Sequence, residues 1–379
     1  MIPPIYYQVN GKVIFNDLLA KHEAYTSGKP VEFYCHNNEY DQLDWTQEPS
    51  QSMDQLMDDY ARHLRNSYER VILSWSGGTD SHTIYQVFVR NNLHIDEIIV
   101  WHNEEFEPWY SNAPVEWINK NHKDPLTKIT PRSRFDPDAK SRIITDEDWI
   151  FQNRTLLPKF SMGMYDTVTQ EHCEKNHGHT TWCLINGHEQ PRVYLRDGKY
   201  YSHHISMTFL SVMGADNSIC FFTEPLLALK QSHLIKRTLK RLASVGKYDQ
   251  TVSDRLLNGF EHHMKLKTQD TYTAWQRSIG RLPEAVPGLS YFQKNNEGKF
   301  EYMPVRPAQI DGTLSRAWDL GLDVLLKKDN AVAQTFERGI KNLLLEKNFC
   351  EHLMSTTPYA SVISKQTGYP VFSKSYLLE

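Results

Sequence analysis

The sequence predicts an α/β fold organised around a parallel β-sheet, and three observations predict it. Apolar runs of strand length alternate with amphipathic segments between about residues 66 and 245, the pattern of strands buried between covering helices. The stretch SWSGGTDS, 74–81, stands between one such apolar run and one such amphipathic segment. Before the alternation begins, IYYQVNGKVIF, 5–15, holds two strand-like runs around Asn10-Gly11. That pair is preferred in a type I′ hairpin turn, because both central residues need positive φ.

After the hairpin, SMDQLMDDYARHLRN, 52–66, reads as a helix capped by Ser52. VILSW, 71–75, is a strand; Ile84, Val87 and Phe88 then recur at helical spacing and predict a helix from about 80 to 92. DEIIVW, 96–101, is a strand, SNAPVEWINKNH, 111–122, a helix capped by Ser111 or Asn112, and LTKIT, 126–130, a short strand. The segment 146–177 holds at least one helix. TTWCLING, 180–187, and SICFFTEP, 218–225, read as strands, and 226–245 as a helix following Pro225. Three regions are expected: a hairpin and helix over 1–65, an α/β domain over 66–245, and a mostly helical region with one irregular insert over 246–379.

The chain has 379 residues, 40% of them hydrophobic and 12% aromatic, which is enough for a substantial core. A net charge of −4 argues against a strongly basic nucleic-acid surface. No apolar run approaches the roughly 20 residues that span a bilayer, so no membrane partner is expected, and MIPPIYYQVNGKVIF lacks the pattern of a secretory signal. The cysteines Cys35, Cys173, Cys183, Cys220 and Cys350 are odd in number and form no CxxC, which points to reduced thiols in a cytoplasmic protein.

The stretch 74–81 carries the chemistry. Two adjacent glycines, Gly77 and Gly78, let backbone N–H groups approach phosphate oxygens, and the start of the following helix adds a positive dipole end. Ser74, Ser76, Thr79 and Ser81 supply hydroxyl donors. Asp80, placed among phosphates, makes sense as a direct or water-mediated Mg²⁺ contact. Neither the Walker pattern nor the dinucleotide GxGxxG is present.

Ser76-Gly77-Gly78-Thr79-Asp80-Ser81 between a strand and a helix resembles the signature of the PP-loop ATP pyrophosphatases. These are adenine-nucleotide α-hydrolase-like proteins whose branches include phosphoadenosine phosphosulfate reductases and asparagine synthetases. Two further segments are similar in type. IIVWHNEEFEPWYSNAPVEW, 98–117, carries Glu105-Phe106 and Pro108 where the reductase branch has DTGxEFPET, without the leading Asp. LINGHEQPRVYLR, 184–196, places Gly187, Glu189, Gln190 and Arg192 where the family has a Gly-x-Arg-led loop facing the phosphates, with His188 in place of the usual Arg and Arg196 further on. FFTEPLLAL, 221–229, resembles the family's downstream turn into a helix. The resemblance covers about 66–245 and implies a HUP-type sheet.

It further implies ATP and Mg²⁺ as cofactors, and Asp80 and Arg192 as catalytic residues, arginine suiting polyphosphate because its fork binds two oxygens. Nucleotide binding would fall to Ser74, Ser76, Gly77, Gly78, Thr79, Asp80, Ser81 and Gly187. The leading expectation is an ATP-dependent adenylating enzyme, releasing pyrophosphate and activating a small-molecule or macromolecular acceptor for amide or amine transfer. No cysteine follows Met1, so the asparagine-synthetase branch's glutaminase nucleophile is absent. Alternatives are a sulfonucleotide-reductase-like enzyme and a non-catalytic adenine-nucleotide-binding module. For the reductase, the nearest candidate nucleophile, Cys350, has the wrong neighbours in EKNFCEHLM.

Other clusters carry blander readings. EHCEKNHGHTTWC, 171–183, gathers His172, Cys173, His177, His179 and Cys183, but its spacing fits no common zinc module; loop histidines around a core cysteine are expected. His203-His204 and His262-His263 have no carboxylate partner at a readable spacing. Lys236, Arg237, Lys240 and Arg241 line one helix and read as its solvated face. A nucleic-acid partner such as tRNA is the less favoured reading, and oligomeric state is left open.

Overall fold

The computed structural model describes residues 5–14, 20, 23–24, 26–75, 79–102, 113–133, 169, 171–187, 191–196, 198–204, 217–244, 292–294, 300–302 and 373–379. Ser76, Gly77 and Gly78, the segment 103–112, residues 188–190, His262-His263 and Cys350 lie outside them.

The N-terminal hairpin forms as expected. β1 (Ile5–Val9) and β2 (Lys12–Ile14) pair antiparallel around Asn10 at φ 49° and Gly11 at φ 78°. β3 (Glu32–Cys35) adds antiparallel to the other side of β1. A single helical turn, α1 (Asn37–Tyr40), leads on to α2 (Met53–Ser67). Ser52 and Gln55 close a reciprocal capping box at the start of α2, worth about 1 kcal/mol. Met53, Leu56, Met57, Ala61 and Leu64 form its buried stripe.

The central sheet is parallel and has five strands: β4 (Arg70–Trp75), β5 (Glu97–His102), β6 (Lys128–Ser133), β7 (Trp182–Asn186) and β10 (Ser218–Cys220). They lie in the order β10-β7-β4-β5-β6. The chain first steps outward from β4 through β5 to β6. α3 (Thr79–Arg90) and α4 (Ala113–Asn121) make these crossovers. Ile84, Phe88 and Ile118 pack with Val71, Leu73, Trp75, Ile98 and Val100 on one sheet face. The chain then returns to the far side of β4. A helix over 171–177 precedes β7, and Cys173 packs on the opposite face with Ile72, Ile99, Trp182 and Leu184. The change of face with the change of direction follows from right-handed crossovers. The reversal makes the gap between β4 and β7 the topological switch point, where open α/β sheets bind ligands beyond the strands' carboxyl ends.

A second, antiparallel sheet joins β8 (Arg192–Arg196), β9 (Lys199–His203) and the C-terminal strand β13 (Tyr376–Leu377). A further hairpin pairs β11 (Phe292–Lys294) with β12 (Phe300–Tyr302). α5 (Pro225–Ser244) carries Leu227 into the main core and Leu229, Ile235 and Leu239 into a second core with Val193, Leu195 and Tyr376. Among the described residues no helix is long and apolar enough to cross a membrane.

Two expectations are corrected. The strand expected over 218–225 stops at Cys220, and Phe221–Thr223 turns into a short 3₁₀ helix. Side chains satisfy the freed backbone there: Thr223 Oγ1 donates to Cys220 O at 2.9 Å and Tyr40 Oη to Thr223 O at 2.8 Å. The strand expected over 126–130 begins only at Lys128. Asp124 Oδ1 accepts the Leu126 N–H at 3.0 Å and folds that stretch into a turn, leaving Leu126 79% exposed.

Asp96 ties the amino-terminal edge of this sheet together. Its carboxylate takes Arg65 of α2, Arg70 of β4 at 2.7 Å, and the Val71 N–H at 2.8 Å. Its own backbone bonds Val71 and Lys128. Burial pushes the carboxyl pKa up, but the hydrogen bonds from Val71, Arg65 and Arg70 outweigh it and hold the group below the usual range. Such a group contributes stability that is fully present above the unfolded pKa of about 3.9 and is lost as pH falls through the folded value. Asp96→Asn should therefore cost on the order of 3 kcal/mol at pH 7. In urea titrations the gap between wild type and variant should narrow as the pH is lowered from about 4 toward 2; a gap independent of pH would count against this role.

Candidate functional site

The crevice between β4 and β7 is built by backbone first. β4 ends at Trp75 and α3 begins at Thr79, so the first turn of α3 stands over the carboxyl end of the central strand. The leading N–H groups of a helix have no intrahelical partners and carry the positive dipole end. Asp80 lies half-buried and Ser81 buried in that turn. From the other side comes Gly187, directly after β7. A Cβ placed on it would lie 2.9 Å from Ser81 N, 3.0 Å from Asp80 C and 3.1 Å from Asp80 Cβ. Only a residue without a side chain fits there. The structure thus brings together Asp80, Ser81 and Gly187. Ser74 is half-buried in β4, two positions on from Ile72 and so on the sheet face opposite α3.

Arg192 is not in a loop following β7. It opens β8, paired with His203 in the antiparallel sheet. The described residues of 184–196 are strand to Asn186 and strand again from Arg192, where the alternating Val193 and Leu195 are buried against α5.

An aromatic wall stands behind the crevice. Trp75 stacks on Trp117 with ring centroids 5.6 Å apart, and His82 meets Trp117 edge-on at 5.3 Å and Tyr85 at 5.7 Å. Burial lowers the His82 pKa to about 4, so the ring is neutral at pH 7. Further along the same edge, past β10, sits a second polar cluster. His36 Nε2 meets Thr223 Oγ1 at 3.2 Å, and His204 Nε2 meets Tyr40 Oη at 3.1 Å. His36 adopts φ 51°, a left-handed conformation uncommon outside glycine, and burial lowers its pKa to about 4. The sequence signals neither group, since the residues come from separate elements.

The His/Cys cluster corrects a further expectation. His172 and His177 are not solvated loop residues: they lie in the helix 171–177 and donate through Nε2 to the buried Glu97 carboxylate at 2.8 and 2.7 Å. Burial alone would raise Glu97; bonds from His172, Thr130 and His177 hold it far below the carboxylate range. Arg132 Nη2 donates to His172 Nδ1 at 2.6 Å, so His172 carries its proton on Nε2 and offers no lone pair to a metal there. Among the described residues no group of three or more His, Cys, Asp or Glu is arranged to hold a metal ion. Cys173 and Cys183 are both buried, and burial pushes Cys183 up to about 12. The basic face of α5 is also engaged within the chain. Arg237 pairs with Glu48, Lys236 donates to Leu378 O, and Lys240 meets Glu379 at 3.2 Å.

No protein-family model matches the chain, and no curated protein matches it.

Gly187→Ala should be poorly tolerated, because the atoms it meets are two backbone atoms and the Cβ of Asp80, which is fixed to the backbone, and none can swing aside. A loss of about 1–3 kcal/mol is expected in denaturant titrations, with Gly198→Ala, whose Cβ would meet open space at φ 74°, as a contrast for backbone strain alone. Unchanged stability in Gly187→Ala would show that β7 does not press on α3.

Proposed function

We propose that this chain is an ATP-dependent adenylating enzyme of the PP-loop type, acting at the crevice between β4 and β7. The observation that carries the reading is Gly187, directly after β7, seated at the switch point on Asp80 and Ser81, the last two residues of SGGTDS. A helix start at that place favours bound phosphate.

In this reading Gly77, Gly78 and the first turn of α3 offer N–H groups to the triphosphate, and the hydroxyls of Ser76, Thr79 and Ser81 add donors. Asp80 is the carboxylate in that turn, and it would hold Mg²⁺ jointly with phosphate oxygens, an arrangement that suits an ion bound through one or two carboxylates. The ion, when bound, supplies charge neutralisation on the phosphates. The family resemblance assigns Arg192, which opens β8, as a further cation. An oxygen of the acceptor attacks the α-phosphorus; the bond from that phosphorus to the bridging oxygen breaks and pyrophosphate leaves. A nucleophile then displaces AMP from the activated acceptor. The protein's part is positioning and charge stabilisation. The sulfonucleotide-reductase alternative needs an accessible thiolate; the four cysteines among the described residues, Cys35, Cys173, Cys183 and Cys220, are buried, and its candidate Cys350 lies outside the described residues.

With the true acceptor, chromatography should show AMP and pyrophosphate; ADP and phosphate would overturn the assignment. Asp80→Asn should lower turnover on the order of a hundredfold while circular dichroism stays unchanged. Wild-type kinetics in that variant would reduce Asp80 to a helix-start residue.

A further inference from the structure

Asn186, the last residue of β7, is 1% exposed. Its Nδ2 donates to Ser218 Oγ of the neighbouring strand at 2.9 Å, which orients the carboxamide. Its Oδ1 is buried and has no hydrogen-bond partner among the described residues. A buried carbonyl left so carries the full desolvation cost of the group. The atom therefore calls for a donor that the fold does not itself supply.

Its location says where that donor comes from. Asn186 ends β7 and directly precedes Gly187, which passes the first turn of α3, so the chain delivers it to the carboxyl end of the sheet next to that turn. Strand pairing aligns Leu73 with Ile185, which sets Ser74 and Asn186 side by side. Both follow the alternation of Ile72 and Leu184, on the face away from α3. The helix start and the carboxamide thus meet opposite chemistries across one crevice: N–H groups that attract phosphate oxygen, and an acceptor oxygen that repels it. On an adenine nucleotide, the hydrogen-bond donors are the exocyclic amine and the ribose hydroxyls, all in the nucleoside half.

We propose that Asn186 Oδ1 accepts a hydrogen bond from the nucleoside of the bound nucleotide, making Asn186 a specificity residue of the site. The inference rests on the nucleotide reading above and deepens it by assigning the nucleoside to the β7 side of the crevice.

The test is calorimetric titration, in Mg²⁺ buffer, of ATP, purine riboside triphosphate, 2′-deoxyATP, 3′-deoxyATP and inorganic tripolyphosphate. Wild-type protein should bind one of the three analogues about tenfold more weakly than ATP, as expected for one lost hydrogen bond to a buried acceptor. Weak binding of purine riboside triphosphate assigns the amine; weak binding of a deoxy analogue assigns that hydroxyl. Asn186→Ala should lose about tenfold for ATP and nothing for tripolyphosphate or for the discriminating analogue. Equal wild-type affinity for all four nucleotides overturns the assignment, and so does an Asn186→Ala variant that binds ATP as wild type does or loses tripolyphosphate equally. The wild-type arm stands even if the variant fails to fold. Wild-type protein that binds none of the five overturns the nucleotide reading itself, and this inference with it.

Discussion

The contact of Gly187 with the first turn of α3 is the constraint on which the rest of this site depends. β7 pairs with β4 in parallel, and α3 springs from the end of β4. The chain leaving β7 must therefore pass the helix start, and it does so within 2.9 Å of Ser81 N from a would-be Cβ. That closeness joins two parts of the sequence about a hundred residues apart. It holds the helix start at the switch point rather than letting it lie over the sheet face. The wall of Trp75, Trp117, Tyr85 and His82 backs the same turn, and its neutral imidazole adds no charge to compete with the helix dipole.

The two ends of the sheet are treated differently. At the amino end, the Asp96 carboxylate is met by two arginines and a backbone N–H, and Glu97 by two histidines and a threonine. Those carboxylates act within the fold. At the carboxyl end, Asn186 Oδ1, Trp75 Nε1 and His82 Nδ1 are buried without partners among the described residues. Each such atom calls for an explanation, as does Thr127 Oγ1 just ahead of β6 at the amino end. The C-terminal strand belongs to the scaffold. Tyr376 stacks on Trp45 at 4.5 Å and bonds Asp41, and Lys236 and Lys240 hold the last two residues.

Much of this fold was legible in the sequence because its signals are local. Asn10-Gly11 announces its hairpin through φ, Ser52 announces α2 through its cap, and the apolar period places β4, α3, β5, β7 and α5. Legibility failed where tertiary contacts overrule local pattern. Phe221 and Phe222 read as strand, yet Tyr40 and Thr223 give their backbone neighbours side-chain partners and permit a 3₁₀ turn. His172 and His177 read as loop residues because Glu97, their partner, lies at the start of another strand. Of the candidate site, Asp80, Ser81 and Gly187 were visible as a motif and a glycine. Asn186 was hidden inside an Asn-Gly pair that reads as a strand end, since only the sheet register shows what its side chain lacks. Arg192 was read as part of a loop, although the alternation of Val193 and Leu195 marks a strand.

Where the triphosphate sits is decided by a crystal structure of the protein with Mg²⁺ and an ATP analogue that cannot be cleaved between its α- and β-phosphates. The triphosphate is expected at the start of α3, within hydrogen-bond distance of the N–H groups at 79–81 and beside Asp80, in the crevice closed by Gly187. An analogue seated elsewhere, whether at the Glu97 end of the sheet or in the His36–Tyr40 cluster, would contradict it.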